Sequence, residues 1–240
     1  MSTKEIFITD LKHGFIESIA VFGLVFFGLG SVAVTKFYSS SDSQLDIIEF
    51  GALSTLIIAV AHGLYITIAI ASFSRSSGAH INPAISISMW ITRKISSVKL
   101  LIYLFMQFAG GILGAAVWRL LFDSPVGVHS LSSNPFTTSV FAGIGLEALC
   151  TFFLALVIFS LIDSESHFMT SFAIGTTVFL GSLVSLPFTG GSLNPARSFG
   201  PAVMFNEYKD LWIYFAGPIL GASIGSMTAL WIKNSKITNR

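Results

Sequence analysis

Apolar residues gather in six long stretches along this chain, and polar residues collect in the short intervals between them. The stretches are Phe15–Val34, Ile48–Phe73, Val98–Phe122, Ser139–Ile162, Met169–Leu186 and Leu211–Ile232. A helix that crosses the hydrocarbon of a bilayer needs about 20 mostly apolar residues, so each stretch predicts a transmembrane helix. Two shorter apolar runs interrupt the series, Asn82–Ile91 after the second stretch and Asn194–Phe205 after the fifth. At about 1.5 Å per residue they reach roughly half of a ~30 Å hydrocarbon core. Both open on Asn-Pro, a helix start, because Asn is a favoured N-cap and Pro suits the first helical position. They predict half-helices that enter the membrane without crossing it.

The phrases around these starts share one pattern. Gly78-Ala-His80-Ile-Asn82-Pro83-Ala84-Ile-Ser86 and Gly190-Gly191-Ser-Leu-Asn194-Pro195-Ala196-Arg197-Ser198 both reduce to G-x-x-x-N-P-A-x-S. The chain therefore divides into two repeats, about 1–125 and 136–240, each with three spans and one half-helix. Three is odd, so the second repeat must run through the membrane inverted. The two Asn-Pro-Ala segments then enter from opposite sides, and their N-termini meet near the midplane. Glu17 and Glu147 reinforce the repeat, each early in the first span of its half. The expected fold class is an all-α membrane protein: six transmembrane helices plus two re-entrant half-helices in an inverted repeat, forming a single domain over 1–240.

Basic residues orient this arrangement. With both termini cytoplasmic, the inner flanks hold Lys4, Lys12, Arg75, Arg93, Lys94, Lys99, Lys233, Lys236 and Arg240, and the outer flanks only Lys36, Arg119 and Lys209. That excess fits the positive-inside rule. Asp163-Ser-Glu-Ser-His167 lacks Lys and Arg, but acidic residues weigh little in that rule.

Composition agrees with a bilayer setting. Of 240 residues, 53% are hydrophobic and 10% charged, and 23 are Phe; mean hydropathy is +0.79. Soluble domains carry charge on about 25% of residues. The net charge of +1 offers no basic footprint for nucleic acid. The lone Cys150 cannot form an internal disulfide. The first apolar stretch contains Glu17 and exceeds a leader core of about 7–15 residues, so no cleavable signal is expected. No nucleotide-binding loop, metal-spaced cluster or nucleophile–base pair is evident, and Gly28-Leu-Gly30 lacks the strand a dinucleotide site needs. No enzyme, cofactor or metal is expected.

The two motifs, the Arg197 that follows the second, the phrase Ser198-Phe-Gly-Pro-Ala202 and the six spans resemble an aquaporin, a member of the major intrinsic protein family. The resemblance covers essentially the whole chain. It implies a homotetramer in the lipid bilayer, each subunit with its own pore for water and small neutral solutes. A helix N-terminus carries about half a positive charge and unpaired N–H groups, so two facing tips repel cations. Asn82 and Asn194 can offer amide donors to a passing oxygen, or serve only as caps. By resemblance Arg197 is the filter arginine; the alternative is snorkelling to the outer interface.

Counting from the two Asn residues, the filter implied by the family is His62, Ser182, Gly191 and Arg197. Strict water channels of the family usually have Phe first and His second, so this filter should be wider and more polar. It is similar to that of plant tonoplast intrinsic proteins, whose ammonia-permeable members add a loop histidine; His129 occupies a similar setting. The alternatives are an exposed loop His129 and a packed His62. His62 and His129 could accept a proton shed by ammonium while Arg197 excludes the cation. Glycerol, urea and hydrogen peroxide are alternative solutes. Glycerol ranks lower, since Ser198, Ala202, Tyr214 and Phe215 do not follow the glycerol pattern. Glu17 and Glu147 resemble the family's buried glutamates, expected to accept N–H groups of the loops before the half-helices. His80 is expected to be structural or loop-facing, with a cytoplasmic pH gate conceivable. Gly110, Gly114, Gly175, Gly181, Gly221 and Gly225 permit close helix crossings. An ion-coupled transporter and a junctional membrane protein are the rival classes.

Overall fold

The computed structural model describes residues 2–40, 47–122 and 139–237. These form eight helices: α1 (Thr3–Ser40), α2 (Ile47–Phe73), α3 (Pro83–Ile91), α4 (Ser97–Phe122), α5 (Val140–Leu161), α6 (His167–Thr189), α7 (Pro195–Phe205) and α8 (Ile213–Ile237). Six of them are long and apolar enough to cross a membrane. The other two, α3 and α7, have 9 and 11 residues. The all-helical architecture expected from the pattern is present, and the protein is a multi-pass integral membrane protein. His129 and the connection between the halves lie outside the described residues.

Three helices outrun their apolar stretches. α1 starts at Thr3 rather than Phe15, because its polar first turns find partners: Asp10 lies 3.9 Å from Lys99 on α4. α8 likewise runs on to Ile237. α6 was expected to end at Leu186, ahead of Pro187, but continues to Thr189. The last turn survives because Gly190, left-handed at φ 78, donates its N–H back to the Leu186 carbonyl.

The packing repeats across the halves. α1 lies mainly on α4 and α5 on α8, while α2 crosses to α6; α3 rests on α8, and α7 on α4. Gly110 faces the backbone of Ser18, and Gly221 that of Ala148, so closely that any Cβ would strike a carbonyl. Polarity is reversed relative to a soluble protein. Glu17, Gln107, Glu147, Thr151 and Ser185 are fully buried, whereas Phe105, Leu120, Phe141 and Phe168 are exposed. An apolar exterior this extensive matches lipid, and the buried polar groups must find partners inside.

One connection is tied outside the bilayer. Lys233 donates to Asp163 at 2.8 Å, joining the α5–α6 turn to α8. That hydrogen bond and the ammonium charge hold the Asp163 carboxyl below its usual value. A depressed carboxyl stabilises the fold above its unfolded pKa and loses that contribution as pH falls through the folded one. Lys233→Met should therefore melt slightly below wild type at pH 7, and the gap should close only below about pH 4. The effect is small because the pair is exposed; thermal melts of the two proteins across that range check it.

Candidate functional site

Each half-helix begins as its sequence predicts. Asn82 sits in extended conformation at φ −148, and its Oδ1 accepts from Ala84 N at 2.9 Å. Asn194, at φ −153, accepts from Ala196 N at 3.0 Å and Arg197 N at 3.4 Å. The amide nitrogens do something further. Asn82 Nδ2 donates to the Leu193 carbonyl at 2.7 Å, and Asn194 Nδ2 to the Ile81 carbonyl at 2.9 Å. The two tips are thus bonded to each other, each Asn capping its own helix and clasping the opposite loop. An amide carries two N–H donors, so each retains one for another acceptor.

The loops that deliver these tips are strained. Ala79, Ile81 and Leu193 have φ 47, 57 and 53, a region disfavoured for residues with Cβ, above all β-branched Ile. Two carboxylates hold them there. Glu17 Oε1 accepts from Ser77 Oγ at 2.6 Å and His80 N at 3.0 Å; its Oε2 accepts from Ile81 N at 2.6 Å and Gln107 Nε2 at 2.8 Å. Glu147 Oε1 accepts from Thr189 Oγ1 at 2.6 Å and Ser192 N at 2.9 Å, and Oε2 from Leu193 N at 2.7 Å. Tyr103 donates to the Ser77 carbonyl, and Tyr214 to that of Thr189 at 2.7 Å. Each loop therefore has one glutamate on its N–H groups and one tyrosine on a carbonyl.

A cavity of about 440 Å³ runs between the halves. It extends from Lys94, Lys99 and His167 past Asn82 and Asn194 to His62, Ser182 and Arg197. Three of the four expected filter residues thus share one wall. Gly191 is the exception: it is buried, at φ 61, with Leu186 and Ser185 crowding the place a Cβ would take, and does not line the cavity. His80 is both structural and wall-forming. Its N–H binds Glu17, its Nδ1 lies 3.0 Å from Ser86 Oγ, and its ring meets Tyr103 edge-on.

Arg197 points inward, at 8% exposure, rather than snorkelling. Its Nε donates to His62 Nε2 at 3.4 Å, and His62 Nδ1 lies 2.8 Å from the Ile58 carbonyl. A carbonyl only accepts, so Nδ1 carries the proton and Nε2 presents its lone pair to the arginine. With both ring nitrogens engaged, His62 braces Arg197 in this geometry. Among the described residues, no group of three His, Cys, Asp or Glu is gathered as for a metal.

The family model for the major intrinsic protein family matches residues 5–229. The chain belongs to that family. Among relatives of this major intrinsic protein, aquaporin-4 of Rattus norvegicus is 37% identical over 83% of this chain and 61% of its own length. Aquaporin-5 of Ovis aries is 35% identical over 92% of this chain and 81% of its own. The chain thus spans between 53% and 62% of the length of the aquaporin-4 relatives it matches. The X-ray structure of the aquaglyceroporin from Plasmodium falciparum superposes with a TM-score of 0.74, covering 92% of this chain and 94% of that one; at 20% identity this shows a common fold.

Sequence reasoning missed Gln107, Thr189, Ser77 and Tyr103. Gln107 was detectable, being an amide inside a predicted span, where polar side chains seek specific partners. Hydroxyls give no such signal, since Ser and Thr commonly bond their own helix, as Thr189 also does with the Ser185 carbonyl.

Proposed function

We propose that this chain is a passive channel for water and small neutral solutes, ammonia among them, that excludes protons and ions. The observation that carries the reading is the cavity passing between the cross-bonded Asn82 and Asn194 to Arg197. Helix starts contribute positive potential at the middle, and a fixed guanidinium contributes it at the filter. A water that accepts from both asparagines turns its hydrogens outward, which interrupts the chain along which a proton would hop. Asn82 and Asn194 reach the lumen, with His62, Ser182 and Arg197 at the filter; Pro83, Ala84, Pro195 and Ala196 are buried and set the two helix starts behind them, and Gly191 shapes the loop beside the filter. His129 belongs to the filter by resemblance. The channel is one domain of two inverted repeats, with cytoplasmic termini, assembled as a homotetramer.

Ammonia selection then rests on size and charge: Arg197 excludes the cation, and His62, bonded through both ring nitrogens, positions that charge. The small side chain of Ser182 on the wall favours a second, broader reading that extends to urea, hydrogen peroxide and glycerol. Stopped-flow flux in proteoliposomes separates these readings. Wild type should pass water linearly with gradient, and ammonia above empty vesicles. His62→Phe should suppress the larger solutes more than water. Saturable, gradient-coupled flux would overturn the channel reading, and ammonia flux equal to that of empty vesicles would remove ammonia.

A further inference from the structure

We propose that Gly28, on α1, is a specificity-determining residue: its missing side chain lets His62 lie back from the lumen and so sets the width of the filter. The inference rests on the channel reading above. Gly28 lies outside the lining of the large cavity. It borders a separate niche of about 10 Å³ behind His62 and Arg197, closed by Val25, Leu29 and Pro201. A Cβ on Gly28 would lie 2.7 Å from His62 Nε2 and 3.1 Å from Cε1. Carbon and nitrogen do not approach that closely without bonding, so ring and methyl group cannot both keep these positions.

Three features decide which one moves. The niche has room for about one water and none for an imidazole. α1 is already pressed close to α4, where Gly110 and Gly114 meet the carbonyls of Ser18 and Phe22, so it has little freedom to shift. Ser31 Oγ also bonds the Gly28 carbonyl at 2.7 Å, which fixes this turn. The remaining direction is into the cavity that His62 already lines. The atom displaced is Nε2, the acceptor for Arg197 Nε, so the arginine loses its brace as the path narrows.

The inverted repeat supplies a contrast. The spacing that relates Glu17 to Glu147 relates Gly28 to Ile158, and the spacing that relates Asn82 to Asn194 relates His62 to Ile174. Ile158 and Ile174 both line the cavity. Where the second half puts two side chains on the wall, the first puts one, and the glycine lets that one recede.

The test is a cycle of Gly28→Ala, His62→Ala and the double variant, read in proteoliposomes and in thermal melts of the purified proteins. Gly28→Ala should lower water flux about threefold or more, and lower the urea-to-water ratio further wherever urea passes. In the His62→Ala background the same change should alter neither flux nor ratio, and the two substitutions should be coupled in melting temperature. Should Gly28→Ala alone fail to fold, recovery of a folded protein by adding His62→Ala supports the proposal, and failure of both overturns it. Equal effects of Gly28→Ala with and without the histidine also overturn it. Wild type that passes no water would instead sink the channel reading, and the melting-temperature coupling would still decide whether Gly28 accommodates His62.

Discussion

Glu17→Leu is expected to prevent recovery of folded protein, and Glu147→Leu to act in the same direction. Glu17 takes four hydrogen bonds, two from strained loop backbone, one from Ser77 and one from Gln107. Each buried donor left without an acceptor costs about 1–3 kcal/mol. Even with imperfect additivity, four such losses approach a typical net stability of about 5–15 kcal/mol. Positive φ adds to the penalty: Ile81 loses the acceptor of its N–H outright, and Ala79 donates to the Ser77 hydroxyl that Glu17 holds in place. Glu147 takes three, so its loss should be somewhat milder. Glu17→Gln should fall between wild type and Leu, because an amide retains one acceptor oxygen but presents an N–H₂ group to donors. Size-exclusion profiles and melting temperatures of the purified proteins measure the order. A Glu17→Leu protein that is monodisperse and melts with wild type would mean the loop is held by other contacts.

The glutamates illustrate how far the sequence could be read. Two acidic residues in otherwise apolar spans, at matching places in two repeats, announce a structural task, and their partners had to be unsatisfied loop backbone. The half-helices were equally legible, since Asn-Pro starts and short apolar runs are local signals. Helix ends were less so. α1 begins earlier and α6 ends later than their apolar stretches because Lys99 receives Asp10 and Gly190 closes the turn after Pro187, both of which depend on neighbours in space. The filter divides in the same way. Counting from the motifs brought His62, Ser182 and Arg197 to one wall. It could not reveal that His62 spends one nitrogen on Ile58 and the other on Arg197, a matter of ring orientation. Nor could it single out Gly28, whose meaning lies in the atom beside it rather than in any motif.

Arg197→Val is expected to let cations leak while water still passes. The guanidinium lines the cavity and bonds His62, whereas the other cations of the lining, Lys94 and Lys99, belong to the α3–α4 connection and the first turn of α4. Two unit charges about 4 Å apart at an effective dielectric of about 20 interact by about 4 kcal/mol. At about 1.4 kcal/mol per decade, losing that repulsion raises cation passage by up to about a thousandfold. The tips of α3 and α7 remain, so exclusion should weaken rather than vanish. Arg197→Lys separates charge from shape. Lysine restores the charge but lacks the Nε and the planar fork that meet His62, so it should exclude cations yet lose the fixed geometry of the filter. Proton and ammonium conductance in voltage-clamped cells, beside water flux on the same variants, reads both effects. Water flux with an unchanged cation leak in Arg197→Val would put the whole barrier at the paired asparagines, because neither the charge nor the shape that Arg197 lends the filter would then contribute.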